Sequence, residues 1–162
     1  MSDCFTRAAT RSDAARIAAI YNLGMEDRVA TFETEPRTPE QILNWFAEGY
    51  PVFVSGEDQT VQAYAAAFPY RSRPCYDGVR EFSVYVAREG RGKGFGRAAL
   101  GALIDDAKAR GWWKLLSRIF PENVSSRKLC AALGFREVGI YEKHGRLDGE
   151  WRDTVIVEKL LS

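Results

Sequence analysis

The stretch that decides the fold is Val84-Tyr85-Val86-Ala87-Arg88-Glu89-Gly90-Arg91-Gly92-Lys93-Gly94-Phe95-Gly96-Arg97. It joins a segment with strand character to one with helix character, so the glycines between them predict a strand-to-helix turn. Glycines let the backbone approach an anion closely and let successive N–H groups converge on it. The helix N-terminus adds a positive end, and Arg91, Lys93 and Arg97 add charge. The stretch therefore predicts a binding site for a phosphate or a pyrophosphate.

Two well-known phosphate loops do not fit this turn. A Walker A loop requires Ser or Thr after its lysine, but Gly94 follows Lys93 here. A dinucleotide-binding fingerprint lies near the start of its βαβ unit, whereas three or more predicted strands precede this turn. A basic glycine turn without any ligand is the remaining alternative, and the density of Gly and Arg favours phosphate binding over it.

The segments that flank the turn have clear periodicities. Residues 80–87 predict a strand in which Phe82, Val84 and Val86 face one side of a sheet and Glu81, Ser83 and Tyr85 the other. Residues 96–110 predict an amphipathic helix, because its apolar residues recur at helical spacing and Gly111 ends it. These apolar residues are Leu100, Leu103, Ile104 and Ala107.

The rest of the chain predicts a mixed sequence of strands and helices. A first helix of about 12–14 residues begins at an N-cap, Ser12, and a second begins at Thr38-Pro39-Glu40-Gln41 as a capping box and stops at Gly49. The pattern predicts further strands over residues 4–9, 52–55, 61–68, 114–120, 135–142 and 151–160, with a helix over 125–133. A hairpin joins 52–55 to 61–68, and a turn-rich link containing Gly145 and Gly149 joins the last two strands.

Composition narrows the class of protein. The 162 residues fit one domain, 1–162, and Lys+Arg 23 against Asp+Glu 22 gives a net charge of +1, which argues against a general nucleic-acid binder. No window is apolar enough for a membrane span, so we expect no membrane partner. From the net charge we expect no nucleic-acid partner, and the three scattered cysteines indicate reduced thiols and a cytoplasmic location. One histidine and three scattered cysteines make a metal centre or a histidine-based triad improbable. The chemistry must therefore use other groups.

The motifs resemble those of the GCN5-related N-acetyltransferase (GNAT) superfamily. Arg91 to Gly96 is similar to the acetyl-CoA signature R/Q-x-x-G-x-G/A, and Asn123, Ser126 and Leu129 followed by Gly134-Phe135 resemble the later N-x-x-S-x-x-L…G-F segment. The order of elements agrees along nearly the whole chain. The resemblance implies an α/β fold, a three-layer α/β/α domain around a mixed, mostly antiparallel central sheet, with acetyl-CoA as co-substrate.

A closer resemblance is to the phosphinothricin and arsinothricin N-acetyltransferase branch. Its segment Y-N…E…A-T-F-x-T-E-P matches Tyr21-Asn22, Glu26 and residues 30–36, and E-x-x-V-Y-V matches residues 81–86. The terminal G-x-W-x-D matches residues 149–153. The link His144-Gly145-Arg146-Leu147-Asp148-Gly149 resembles the arsinothricin group more than it resembles the herbicide-resistance enzymes.

The resemblance implies a role for each of several groups around acetyl-CoA. The backbone of Val84, Tyr85 and Val86 would bind the pantetheine arm, with the Val86 N–H as oxyanion donor, a role that needs no special side chain. The remaining cofactor-binding residues implied are Arg91, Gly92, Lys93, Gly94, Phe95, Gly96, Arg97, Asn123 and Ser126.

On the acceptor side, the amine must lose a proton before it attacks. With histidine almost absent, a carboxylate is the natural base, and the resemblance assigns that role to Glu81; a solvated, inert strand glutamate is the alternative. Arg71 and Arg73 have a spacing that suits bidentate recognition of an anion, although two surface arginines on a loop would look the same. Further predicted substrate residues are Glu26, Thr31 and Phe32.

Cys130, His144 and a pair of tryptophans stay outside this scheme. Cys130 occupies the position where the superfamily often has a tyrosine that protonates the leaving thiolate, and a buried, unreactive thiol is the favoured interpretation. His144 has no assigned role. The Trp112-Trp113 pair is interpreted as part of the core or of a dimer contact.

The sequence thus predicts an acetyl-CoA-dependent N-acetyltransferase for the α-amine of a small anionic amino acid, such as phosphinothricin, arsinothricin or methionine sulfoximine, which would confer resistance. The resemblance also implies a homodimer. Two alternatives stay open: acetylation of a protein N-terminus or a polyamine, and a non-catalytic acyl-CoA-binding module. A polyamine site would need an acidic pocket instead of paired arginines.

Overall fold

The computed structural model describes residues 3–161, and within this range seven strands form one sheet flanked by four α-helices. The strands are β1 (Cys4–Ala8), β2 (Val52–Glu57), β3 (Thr60–Pro69), β4 (Val79–Val86), β5 (Lys114–Ile119), β6 (Arg136–Leu147) and β7 (Glu150–Leu160). The helices are α1 (Ala14–Glu26), α2 (Pro39–Ala47), α3 (Phe95–Ala109) and α4 (Val124–Ala132). None of the helices in this described part is long and apolar enough to span a membrane.

The sheet is mixed but mostly antiparallel, as predicted. Its strand order is β1-β2-β3-β4-β5-β7-β6, and only the central pair β4–β5 runs parallel. The chain reaches β5 from β4 through the glycine turn and α3, which is the crossover that a parallel pair requires. The turn therefore lies at the centre of the sheet, where the two halves meet.

The helices cover both faces of the sheet, which confirms the three-layer prediction. On one face α1 and α2 bury Ile17, Ile20 and Ile42 against Tyr64 of β3. On the other face α3 packs Leu100 and its apolar neighbours against Phe82 of β4, beside α4. Strand β4 sends Phe82 and Val84 to the α3 side and Tyr85 to the α1 side, as its alternation predicted.

Helix starts follow local capping chemistry, with one correction. Thr38 accepts from the Gln41 N–H at 3.3 Å and its own N–H donates to the Gln41 side chain at 2.9 Å, so the predicted capping box is present. The prediction of Ser12 as the first N-cap was wrong. Thr10 caps a short 3-10 turn (Arg11–Asp13) that leads into α1, and its N–H donates to the Asp13 carboxylate at 2.8 Å. Asp13 itself is the N-cap residue of α1.

The last hairpin also differs from the prediction. Instead of a turn-rich link, most of residues 143–148 continues β6, and Gly145 pairs with Arg152. The turn is confined to Asp148 and Gly149, both with positive φ (52° and 81°). Such two-residue turns match the twist of a hairpin. Next to Asp153, β6 bulges at residues 142–144, and the Lys143 N–H donates to the Asp153 carboxylate at 2.8 Å.

Candidate active site

The central feature of the site is the gap between β4 and β5. The two strands pair over only three positions, from Val79 with Lys114 to Glu81 with Leu116. Just beyond, the Ser117 hydroxyl donates to the Phe82 carbonyl at 2.9 Å, in place of a backbone bond. The strands then separate around a small cavity of about 40 Å³, lined by residues of both strands and by Asn123, Ser126 and Cys130.

The gap leaves backbone groups of β4 without a strand partner on one side. The Ala87 N–H donates to Gln62 of β3 at 2.7 Å, so it points away from β5. Because N–H directions alternate along a strand, the N–H and C=O groups of Val84 and Val86 point the other way, into the gap. The Phe82 carbonyl, two residues earlier, has that same direction, as its bond to Ser117 shows. This exposes a row of backbone donors and acceptors to a ligand.

The glycine turn forms one wall of a larger groove that continues from the gap. Gly92 and Gly94 have φ of 77° and 87°, a left-handed conformation that favours glycine, and Gly94 is the N-cap of α3. The groove has a volume of about 600 Å³. Its lining includes Val84, Tyr85, Val86, Gly90, Arg91, Gly92, Gly94, Phe95, Gly96, Arg97, Asn123 and Ser126. The structure thus brings together nearly all of the predicted cofactor residues along one continuous surface.

Acidic side chains hold the cations of the turn. Asp27, at the end of α1, accepts from Arg88 at 2.9 Å and from Arg91 at 2.7 Å. These bonds, above all the one from Arg91, lower the pKa of Asp27, so its carboxylate stays charged. Lys93 forms an ion pair with Glu57 at 3.3 Å. The C-terminal end of α1 is therefore tied directly to the glycine turn.

Asn123 connects two parts of the site. Its side-chain oxygen accepts from the Ser126 N–H at 3.3 Å, which caps α4. Its side-chain amide donates to the Val29 carbonyl at 3.2 Å, on the loop between α1 and α2. The N-x-x-S pattern in this chain is thus a helix cap that also anchors a loop over the gap.

Glu81 lies where β4 and β5 part, and two cations contact it. The Arg118 Nη2 of β5 donates to the Glu81 Oε1 at 3.0 Å, and the Arg71 Nη1 lies 3.9 Å from the same oxygen. Arg71 also stacks on Tyr70, with its guanidinium carbon 4.3 Å from the ring centroid. Arg73, two residues further on, is exposed as the N-cap of a short 3-10 turn (Pro74–Tyr76). The structure places Arg71 beside Glu81, the candidate general base, and Arg73 on the surface.

Arg118 is the residue that sequence reasoning missed. It lies inside the predicted strand 114–120, where the pattern assigns it no role. The signal available was a charged residue in the interior of a strand that is mostly apolar. Its partner could not be identified, because the parallel pairing that brings β5 beside Glu81 is a property of the folded sheet.

The loop between α1 and α2 covers the front of the gap. Ala30 lines the small cavity. Burial raises the pKa of the Tyr85 hydroxyl, and a hydrogen bond with Thr31 opposes that rise. Phe32 packs edge-on against Phe120, with ring centroids 4.8 Å apart. Glu26 is exposed at the end of α1 and contacts Arg88 at 3.6 Å, at the glycine turn.

Cys130 and His144 have opposite environments. Cys130 is 1% exposed, and burial raises the pKa of its thiol to about 12, in agreement with the interpretation as an unreactive thiol. His144 is exposed on β6 and contacts Tyr141, with ring centroids 4.8 Å apart. Trp112 packs against the core, whereas Trp113 is partly exposed.

Taken together, a long groove ending at a glycine-rich helix N-terminus and a carboxylate, Glu81, bonded to an arginine that lines the gap are typical of one protein class: a transferase that uses a phosphate-bearing acyl carrier. The chain matches the family model described as Acetyltransferase (GNAT) family over residues 17–135, and it belongs to that family.

Known proteins with related sequences and structures agree with this membership. A phosphinothricin N-acetyltransferase of Streptomyces coelicolor is 33% identical over 162 residues, which cover 96% of this chain and 95% of that protein. An L-methionine sulfoximine/L-methionine sulfone acetyltransferase of Salmonella typhimurium is 33% identical over 159 residues, or 94% of this chain and 91% of that one. The structure of a GNAT superfamily phosphinothricin acetyltransferase from Sinorhizobium meliloti with acetyl-CoA superposes with a TM-score of 0.90 at 32% identity, covering 98% and 89% of the two chains.

Acetyl-CoA is therefore the co-substrate, and the groove suits it. The left-handed glycines at the N-terminus of α3, with open space where side chains would stand at Gly92 and Gly94, suit the pyrophosphate. The unpaired backbone of Val84 and Val86 suits the amide groups of a pantetheine arm. When bound, acetyl-CoA supplies an acetyl group activated as a thioester.

Proposed function

We propose that this protein acetylates the α-amine of a small amino acid that carries a second acidic group, with phosphinothricin, arsinothricin and methionine sulfoximine as candidate substrates. The observation that carries the proposal is the position of Glu81, a carboxylate that lies between two arginines and is hydrogen-bonded to one of them, Arg118, which lines the small cavity between β4 and β5. Acetylation of such amino acids would remove their toxicity and confer resistance, and we expect it to occur in the cytoplasm.

Each proposed step uses a group of this chain. Glu81 accepts a proton from the substrate ammonium, directly or through a water molecule, which leaves a neutral amine. The Val86 N–H, which points into the gap, donates to the thioester oxygen as negative charge develops there. The N–C bond forms, the nitrogen releases its second proton to solvent, the C–S bond breaks, and CoA leaves as a thiolate that solvent can protonate. Cys130 takes no part, because a thiol with a pKa of about 12 is neither a nucleophile nor a useful acid at neutral pH.

The charges at the acceptor end favour acidic amino acids over polyamines. Arg71 and Arg118 both contact the single carboxylate of Glu81, so the local charge favours an anion. Arg73, Thr31, Phe32 and Glu26 complete the proposed substrate residues. A polyamine would meet positive charge at this place, which argues against that alternative.

The decisive experiment measures CoA thiol release with a panel of amines: phosphinothricin, methionine sulfoximine, an arsenic analogue, a polyamine and an N-terminal peptide. We expect release with the acidic amino acids. We expect Glu81→Gln to lower kcat by about 10²- to 10⁴-fold while acetyl-CoA binding by calorimetry stays unchanged. Glu48→Gln, an exposed glutamate after α2, is the matched control. Binding of acetyl-CoA without release on any amine would instead support a binding module.

We further propose that the functional unit is a homodimer formed through the outer hairpin. Strand β6 is the last strand of the sheet, so one of its edges has no strand neighbour among residues 3–161. Large apolar side chains on this hairpin are about half exposed, namely Val138, Ile140, Tyr141 and Trp151. A sheet edge with such a surface is suited to a second copy. Light scattering should show a dimer that Ile140→Arg dissociates, whereas Ala47→Arg on α2 should leave it intact.

A further inference from the structure

Arg118 occupies the inner wall of the acceptor end. It follows the last position at which β5 pairs with β4, so its side chain lies where the strands part. It lines the small cavity together with Ser83, Val84 and Tyr85. Arg71 approaches the same carboxylate from the connection after β3 and is more exposed, with 53% of its side chain accessible against 33% for Arg118.

The contact with Glu81 engages only part of the Arg118 guanidinium. Its Nη2 donates to Glu81 Oε1 at 3.0 Å, whereas a guanidinium carries five N–H donors in a planar fork. Such a fork can hold one carboxylate and present its other edge to a second. Lysine, as a point charge on a flexible stem, cannot fix two anions in this way.

The geometry of an α-amino acid indicates which substrate group would bind the other edge of the Arg118 guanidinium. A base must lie within about 2.6–3.2 Å of the amine that it deprotonates, or one water away. The α-carboxylate is attached to the carbon that carries this amine, so it must lie only a few ångströms from Glu81. The inner cation in direct contact with Glu81 is Arg118.

We propose that Arg118 recognises the α-carboxylate of the substrate and at the same time positions Glu81 for proton transfer. This inference rests on the proposed function and deepens it. Arg118 makes the enzyme specific for α-amino acids over simple amines, and Arg71, further out, is left for the acidic group of the substrate side chain. Among residues 3–161, the charged groups found in contact with Glu81 are Arg71 on the β3–β4 connection and Arg118 on β5.

The test compares two substrates that differ only in the α-carboxylate. These are phosphinothricin and its decarboxylated analogue, 3-aminopropyl(methyl)phosphinic acid. For Arg118→Gln we expect the KM for phosphinothricin to rise about tenfold or more, the typical cost of losing a hydrogen bond between charged groups, and the KM for the analogue to change much less. Arg118→Lys should restore little of the loss. Arg110→Gln, which breaks an arginine–aspartate pair at the end of α3, is the control.

The positioning role has a separate readout. If Arg118 holds Glu81 in place for proton transfer, Arg118→Gln should also lower kcat for the decarboxylated analogue, although the KM of the analogue changes little. Equal rises in KM for the two substrates would refute carboxylate recognition, and an unchanged kcat for the analogue would refute positioning. If a variant is inactive, calorimetry can still measure the Kd for phosphinothricin binding to the complex of the protein with CoA. If the wild-type chain neither acetylates nor binds phosphinothricin, the proposed function fails and this inference with it; selective turnover unaffected by Arg118→Gln overturns this inference alone.

Discussion

Gly145 offers a sharp test of how the outer hairpin supports the substrate loop. A Cβ added at Gly145 would lie 2.8 Å from the Cε1 and 2.9 Å from the Cζ of Phe32, closer than carbon atoms approach without movement. Phe32 in turn packs on Phe120, with ring centroids 4.8 Å apart. In Gly145→Ala the Phe32 ring must therefore move away from β6 and lose its fit against Phe120.

The magnitude follows from that lost ring pair, worth about 0.5–1.5 kcal/mol. Alanine also lowers the entropy of the unfolded chain, which is a gain for the native state. Gly139→Ala on the same strand makes the same change where an added Cβ meets nothing within 4 Å. The difference in stability between the two variants therefore measures the effect of the Phe32 contact alone. For a chain of this size we expect Gly145→Ala to melt roughly 1–6 °C below Gly139→Ala.

Thermal unfolding of both variants measures this difference directly. Steady-state kinetics should add a higher KM for the amine in Gly145→Ala alone, with an unchanged Kd for acetyl-CoA, because Phe32 follows Thr31 in the loop that covers the gap. Equal melting temperatures and equal KM values would show that Phe32 relaxes without cost. The link between hairpin and substrate loop would then have to be abandoned.

Two further predictions use buried groups. With a pKa of about 12, the Cys130 thiol is ionised to only about one part in 10⁴ at pH 8, so iodoacetamide should label the two exposed cysteines and spare Cys130, and Cys130→Ala should retain activity. Labelling at Cys130 in the folded protein would contradict this burial. Hydrogen bonds from Arg7 at 2.7 and 3.1 Å lower the pKa of Asp13. Asp13→Asn should therefore cost about 1–2 kcal/mol at pH 7, and urea unfolding should show this cost shrinking as pH falls below about 4, where the carboxyl of the unfolded chain begins to protonate, and disappearing below the lowered native pKa. A pH-independent cost would mean that charge plays no part.

Local patterns were enough to predict much of the fold. The alternation in residues 80–87 and the helical spacing after Gly96 determine which side chains enter which core, because both periods are properties of a single element. The capping box at Thr38 is local in the same sense. The last hairpin was predicted poorly, because residues 143–147 have no strand pattern of their own. They are extended because Gly145 and its neighbours pair with β7, and because Asp153 holds the bulge.

In the site, too, some features depend on local sequence and others on contacts formed only in the folded sheet. By itself the sequence determined the glycine turn and its charges, since backbone conformation and a helix N-terminus depend on adjacent residues. Only the tertiary structure decided what surrounds Glu81. The parallel pairing of β4 with β5 ends after three positions, and this opens the gap, directs the Val84 and Val86 backbone groups into it and sets Arg118 beside Glu81. Contacts between strands so far apart along the chain are fixed by packing against both helical layers, which no local pattern encodes.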